Sequence, residues 1–104
     1  MSHNFWHPEV ELCGVILKDQ TVVQIENKSA NPHSTFEISE EDIQKTGLEN
    51  IEIFWHSHPN KDINLSLQDY RSFLQYPHHK HRIYTENGFA DYYVRRGFVM
   101  RVEE

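Results

Sequence analysis

The chain of 104 residues contains a single cysteine, Cys13, which excludes a disulfide bond within the chain and permits a reducing compartment. It lacks an apolar run long enough to span a bilayer, and its N-terminus lacks the basic and then apolar pattern of a signal peptide. Basic residues are few, ten against sixteen acidic ones, and the formal charge is -6. That charge argues against a nucleic-acid backbone as the main partner. The sequence therefore predicts neither a nucleic-acid nor a membrane partner.

Internal repeats and low-complexity linkers are also missing, which predicts one domain over residues 1–104. Apolar residues make up 38% of the chain and charged residues 25%, as in an ordinary globular protein. Histidine is the exception, because it occurs eight times. This count suggests metal binding without indicating which histidines would take part.

Apolar runs, turn residues and helix caps predict a mixed α/β domain, with a central, largely antiparallel sheet and two or three helices. Residues 4–11 are expected to form a short helix or an extended arm, and Pro8 would suit a first helical turn. Helices are predicted to begin near Ser39 and Ser66, because an aspartate follows each serine three residues later. The predicted strands cover residues 12–18, 21–26, 51–55, 81–85, 89–95 and 98–102, with an Asn-Gly turn at 87–88.

The most informative segment is the pair His56 and His58, which follows the apolar strand 51–55. Residues two apart in a strand point to the same side, so both imidazoles can reach one metal ion. The pair alone is equally compatible with two ordinary histidines at a strand end. Asp69, in the first turn of the predicted second helix, can complete three ligands and leave a fourth position for water. Ser66 and Asp69 would also form a simple capping box without any metal.

Hydrolysis at such a site needs a carboxylate that takes a proton from water and later delivers it to the leaving amine. Glu11, just before the first core strand, is the candidate for this base, and Glu9 is a weaker one. Glu11 on its own is more typical of an exposed acid, so the candidate depends on the rest of the pattern.

The stretches Glu-Leu-Cys-Gly at 11–14 and His-Ser-His-Pro at 56–59, with the later Ser-x-x-Asp, resemble the signature of the JAMM metalloproteases, also called MPN+. Five positions stand in register with that signature: Glu11, His56, His58, Ser66 and Asp69. The order of the elements agrees with the cytidine-deaminase-like MPN fold of this family. Leu65 stands where proline commonly precedes the motif serine, which indicates a looser loop. The 35 residues after Asp69 leave little room for ubiquitin-gripping insertions, which disfavours a eukaryotic-type deubiquitinase.

The resemblance implies a role for each matched position. His56, His58 and Asp69 would bind one zinc ion per chain. Glu11 would be the general acid and base. Ser66 would donate a hydrogen bond to the oxyanion of the tetrahedral intermediate.

Within the family, the chain is most similar to the N-terminal peptidase domain of phage tail-assembly proteins of the tail protein K type. The similarity lies in residues 11–16 and 27–31 and in the acidic helix after residues 36–38. It implies hydrolysis of a peptide or isopeptide bond in phage tail assembly or bacterial processing. The expected substrate is a protein, a peptide or a cell-wall peptide, and expected partners are phage tail proteins or an NlpC/P60 hydrolase. The protein would be cytoplasmic in the producing cell, or associated with the virion.

Two alternatives remain open. The chain could be a structural tail-tip component that keeps the metal site with little turnover, or a peptidoglycan amidase. An intact Glu11 favours an enzyme, because a structural metal site needs no base. Cys13 is expected to be a small core residue, and residues 78–81 (His-His-Lys-His) to be a solvated loop. Core or edge packing is expected for the aromatic residues Phe5, Trp6, Tyr92, Tyr93 and Phe98.

Overall fold

The structure, a computed structural model, describes residues 5–59 and 65–102. These residues form a single six-stranded sheet with helices packed against it. The strands are β1 (Cys13–Leu17), β2 (Val22–Ile25), β3 (Ile51–Ser57), β4 (Lys80–Thr85), β5 (Gly88–Arg95) and β6 (Phe98–Arg101). The helices are α1 (Glu40–Thr46) and α2 (Leu67–Gln75), and a 3-10 turn covers Leu48–Asn50. The mixed α/β class predicted from the sequence is therefore confirmed.

The strand order is β2-β1-β3-β4-β5-β6, with β3 near the centre of the sheet. Neighbouring strands are antiparallel except β3 and β4, which are parallel. Two parallel neighbours need a crossover connection, and α2 lies in this one. The end of β3 is bordered on both sides, because His56 lies opposite Cys13 of β1 and opposite Ile83 of β4.

Successive side chains of a strand point to opposite faces of the sheet, so the core has one part on each face. On the helix face, Ile43 of α1 packs with Val15 and Phe54, and Phe73 of α2 packs with Ile83. On the opposite arm face, a cluster including Ile53, Trp55 and Tyr84 is covered by Phe5 of the N-terminal arm. Burying one large apolar side chain completely contributes roughly 1.5–3 kcal/mol. Both faces therefore hold β3 in place.

The N-terminal segment follows one of its two predicted alternatives, an arm and not a short helix. Residues 5–12 form no helix, and Pro8 lies in a bend instead of a first helical turn. The ring centroids of Phe5 and Trp55 are 5.0 Å apart, and Trp6 Nε1 donates a hydrogen bond to the His58 carbonyl oxygen over 2.9 Å. These tertiary contacts outweigh the helix-start signal of Pro8, because a short isolated helix is marginal in water.

The predicted solvated loop at 78–81 is wrong for its last two residues, which lie in β4. Strand β4 begins at Lys80, so alternation turns His81 towards the helix face, where only 3% of its surface is exposed. The His81 ring lies 4.7 Å from the ring of Phe73 and 5.8 Å from that of Phe54, between centroids.

The C-terminal strands differ from the prediction in register and exposure. The β4–β5 turn consists of residues 86–87, one position earlier than predicted, and Gly88 begins β5 with φ 139°. Strand β6 is an edge of the sheet, and Phe98 there is 71% exposed. Among the described helices, none is long and apolar enough to cross a membrane.

Candidate metal centre

Four buried polar side chains meet where β3 ends. His56 lies near the end of that strand and His58 directly follows it, Glu11 stands two residues before β1, and Asp69 lies in the first turn of α2. Between 1% and 9% of the surface of each is exposed. Burying charged or polar groups is unfavourable unless each finds a partner, so such a cluster at the end of a central strand indicates a functional site.

The backbone around the two histidines is anchored on both sides. Ser57 N donates to the Leu12 carbonyl oxygen over 2.9 Å, and its hydroxyl accepts from Leu12 N over 2.8 Å. His58 N donates to the carbonyl oxygen of Tyr84 in β4 over 2.9 Å. The imidazoles therefore project from a backbone that adjacent elements fix in position.

Asp69 combines the two roles that the sequence left open. Ser66 and Asp69 form a capping box: Asp69 N donates to Ser66 Oγ over 3.2 Å, and Ser66 N donates to Asp69 Oδ2 over 2.8 Å. The same carboxylate places Oδ1 2.8 Å from His56 Nε2 and Oδ2 3.2 Å from His58 Nε2. The cap thus aims a carboxylate at both imidazoles.

The contact between His56 and Asp69 is close. His56 Nε2 is buried and lies 2.8 Å from Asp69 Oδ1. A buried imidazole nitrogen directly beside a carboxylate oxygen is an arrangement in which both atoms can coordinate one metal ion. Burial lowers the pKa of His56, which favours the neutral imidazole that metals bind.

Asp69 remains ionised despite its burial. Burial alone raises the pKa of Asp69, but the close approach of His56 and His58 and the backbone N–H of Ser66 outweigh it. The pKa of this carboxyl is therefore held well below its usual range. An ionised carboxylate beside two imidazoles is a donor set that fits a divalent metal.

Glu11 belongs to the same buried group. Potential ligand atoms of Glu11, His56 and His58 all lie within 4.8 Å of one another, so this group can hold a metal ion. Burial raises the pKa of Glu11 to about 7, with a smaller raising effect of Asp69 and an opposing effect of His58. Glu9, the weaker candidate base, is exposed and lies outside this group.

Ser66 lies beside the group at an exposed position. Its capping bond uses the hydroxyl oxygen as acceptor, so the O–H hydrogen remains available for a hydrogen bond to another group. All five residues singled out in the sequence are therefore brought to the end of β3 and the start of α2. Within residues 5–59 and 65–102, no second group of three His, Cys, Asp or Glu side chains is close enough to hold an ion.

A cavity of about 220 Å³ adjoins His56 on the helix face. It lies between α1 and α2, and its apolar lining includes Phe36, Ile43, Phe54, Phe73 and Tyr76. The Phe36 ring stacks on the His56 imidazole with centroids 4.2 Å apart. The cavity therefore offers apolar space directly beside the candidate metal centre.

Three side chains at the site were missed in the sequence. Ser57 supports Leu12, Phe36 covers His56, and Asn27 Nδ2 donates to the Glu11 carbonyl oxygen over 2.8 Å. Only Ser57 carried a local signal, since a strand residue between two same-side histidines must point to the opposite side.

Cys13 is a core residue, as expected. None of its surface is exposed, its thiol donates to the Ile25 carbonyl oxygen over 3.5 Å, and burial raises its pKa to about 12. A thiol in that state is a poor nucleophile.

No model of a known protein family matches this chain, and no curated protein matches it. Inferences about function therefore depend on the residues of the site and their geometry.

Proposed function

We propose that this chain is a zinc-dependent metallopeptidase of the JAMM type, with an MPN-like fold, that hydrolyses a peptide or isopeptide bond. The observation that carries the proposal is the buried carboxylate Glu11 beside His56 and His58, with both oxygens of Asp69 directed at the two imidazoles. A protein or peptide substrate in phage tail assembly or bacterial processing is the setting that the sequence resemblance supports.

The donor set supports zinc as the metal. His56, His58 and Asp69 would hold it, since two imidazoles and one carboxylate form a set typical of catalytic zinc with one position left open. When bound, zinc would lower the pKa of a water molecule and polarise the substrate carbonyl. Glu11 would then remain as the proton carrier.

Glu11 and Ser66 would perform the proton transfer and charge stabilisation. With a pKa of about 7, the Glu11 carboxyl can accept a proton from the attacking water and deliver it to the leaving amine at neutral pH. The Ser66 hydroxyl would donate to the oxygen that gains negative charge, and removing one such donor typically costs roughly 10²–10³ in kcat.

The first experiment measures zinc in the purified protein by mass spectrometry of the metal. We expect about one zinc per chain, lost when His56 and His58 are both changed to Ala, because only one carboxylate ligand then remains. The control His78→Ala changes an exposed histidine after α2 and should retain zinc. Zinc retention in the double variant would contradict the assignment of the ligands.

The second experiment separates the base from the ligands. Glu11→Gln should retain zinc and lose at least a hundredfold in hydrolysis, since general acid–base catalysis contributes roughly 10²–10⁴. Cleavage is measured on a library of quenched fluorescent peptides and on a Gly-Gly isopeptide of lysine. The matched control is Glu9→Gln, which alters the neighbouring exposed glutamate.

Two results would contradict the role of Glu11. Loss of zinc in Glu11→Gln would make Glu11 a ligand. Zinc retention with full activity would exclude it as the base.

A further inference from the structure

We propose that Asn27 is a positioning residue that sets the place of the Glu11 carboxylate relative to the two histidines. This inference rests on the proposed function, in which Glu11 carries the proton. Glu11 lies outside the ladder of β1, so its position depends on contacts made by other parts of the chain.

Both backbone polar groups of Glu11 are bound by one loop, residues 27–37. Glu11 N donates to the Pro32 carbonyl oxygen over 2.7 Å, and the Glu11 carbonyl oxygen accepts from Asn27 Nδ2 over 2.8 Å. Loop 27–37 therefore fixes the peptide units on both sides of the Glu11 Cα atom. These two peptide units determine the direction in which the glutamate side chain leaves the backbone.

The Asn27 side chain also joins several backbone groups of that loop through hydrogen bonds. Its Nδ2 also donates to the Thr35 carbonyl oxygen over 3.1 Å, and its Oδ1 accepts from Ser29 N over 2.9 Å and from Glu37 N over 3.0 Å. One asparagine amide offers two donor hydrogens and an oxygen with two lone pairs, and all of them are used here. The loop is thus closed around the side chain that binds the Glu11 carbonyl oxygen.

The far end of the loop reaches the metal ligands. Phe36 stacks on His56 with ring centroids 4.2 Å apart, and the Phe36 carbonyl oxygen accepts a hydrogen bond from Gln68 Nε2. Gln68 directly precedes Asp69 in α2. One loop therefore contacts the base, one imidazole and the helix turn that carries the carboxylate ligand. Through this loop, Asn27 sets the distance between the proton carrier and the ligands.

The test changes Asn27→Asp, which keeps the oxygen acceptor and removes both N–H donors. We expect zinc content and KM to stay as in the wild type and kcat to fall at least tenfold, because displacing a catalytic group by about 1 Å can cost on the order of a hundredfold. The matched control is Asn31→Asp, which makes the same chemical change at an exposed position of the same loop. Unchanged kcat for Asn27→Asp, with both variants folded, would overturn the inference.

A second readout needs no substrate. In the zinc-loaded protein, hydrogen exchange of the Glu11 backbone amide is followed by NMR, with the amide of Ile83 in β4 as the internal reference. We expect exchange at Glu11 to be at least tenfold faster in Asn27→Asp and unchanged in Asn31→Asp. If Asn27→Asp does not fold, the neutral Asn27→Ser replaces it with the same expected result. Unchanged exchange at Glu11 would overturn the inference.

The two readouts also separate this inference from the proposed function. A wild type that binds zinc but cleaves none of the peptides contradicts the proposed function. Exchange of the Glu11 amide still decides in that case whether Asn27 holds the Glu11 backbone in place. Faster exchange with full kcat would show that Asn27 orders the loop without positioning the base, which overturns the inference as well.

Discussion

The two carboxyl groups of the candidate metal centre have pKa values shifted in opposite directions from their ordinary values. Asp69 lies against two imidazoles and a backbone N–H, so its pKa is held well below the usual range. For Glu11, burial is the dominant effect, and its pKa rises to about 7. When their environments shift the pKa values of two neighbouring groups apart in this way, one group keeps a constant charge and the other can transfer protons. This difference supports the proposed roles of Asp69 as ligand and Glu11 as base.

His81 gives a prediction for stability against pH. Burial lowers its pKa from 6.5 to about 4, although its hydrogen bond to the Tyr76 carbonyl oxygen opposes the shift. Between these values the unfolded chain binds a proton that the folded chain does not, so stability is complete above pH 6.5 and declines as the pH falls towards 4. The full loss is on the order of 3 kcal/mol.

The measurement is urea denaturation of the metal-free protein at pH 7 and pH 4.5. His81→Gln keeps a donor for the Tyr76 carbonyl oxygen and should lose less stability between the two pH values than the wild type. His78→Gln, at an exposed position, is the control and should behave as the wild type. Equal losses in all three proteins would contradict the role of His81.

At the scale of the elements, both helices begin with a serine N-cap whose hydroxyl accepts a hydrogen bond from a backbone N–H three residues later. In α1, Asp42 N donates to Ser39 Oγ over 3.1 Å; in α2, Asp69 N donates to Ser66 Oγ over 3.2 Å. Only the second cap adjoins buried imidazoles. The chain therefore contains a matched pair of caps, one structural and one at the site.

Ser39→Ala and Ser66→Ala should each lower the free energy of unfolding by about 1 kcal/mol, because each removes the side-chain cap of its helix. Ser39→Ala also removes the hydrogen bond that Ser39 Oγ donates to Asp42 Oδ2 over 2.8 Å. Only Ser66→Ala should also lower kcat, by roughly 10²–10³, since it removes the proposed oxyanion donor. Zinc content should stay unchanged in both, because no ligand is altered. Denaturation in urea and the peptide assay measure the two effects. An equal kcat in the two variants would exclude the oxyanion role.

Elements with strong local signals could be predicted from the sequence, and nonlocal contacts could not. The helix starts at Ser39 and Ser66 follow from capping chemistry within four residues. The position of His81 depends on where β4 begins along β3, which no local pattern encodes. Asn27 and Phe36 reach the site through the path of a loop, so their place beside Glu11 and His56 needed the structure.

On the scale of the whole molecule, the candidate metal centre joins distant parts of the chain. Its residues extend from Glu11, before β1, to Asp69 in α2, across the centre of the sheet. The unfolded chain does not hold Asp69 beside His56 and His58, so an ion held by these three side chains would be bound by the folded state. Metal binding would therefore be linked to global stability.

Removing zinc with a chelator should lower the melting temperature. At a free zinc concentration of 100 times Kd, binding stabilises the fold by about 2.7 kcal/mol. For a chain of this size, that corresponds to a shift on the order of 10 °C. Differential scanning calorimetry with and without zinc measures the shift. The variant with His56 and His58 both changed to Ala should show none, and a shift of the wild-type size in it would place the metal elsewhere.

The exposed edge at β6 affects how copies of this chain associate at high concentration. A free strand edge offers unpaired backbone groups, and an apolar side chain such as Phe98 adds to the attraction between edges. The exposed arginines Arg95, Arg96 and Arg101 lie on and beside this edge, so two identical edges would bring like charges together. This repulsion opposes edge-to-edge pairing of the sheets of two copies.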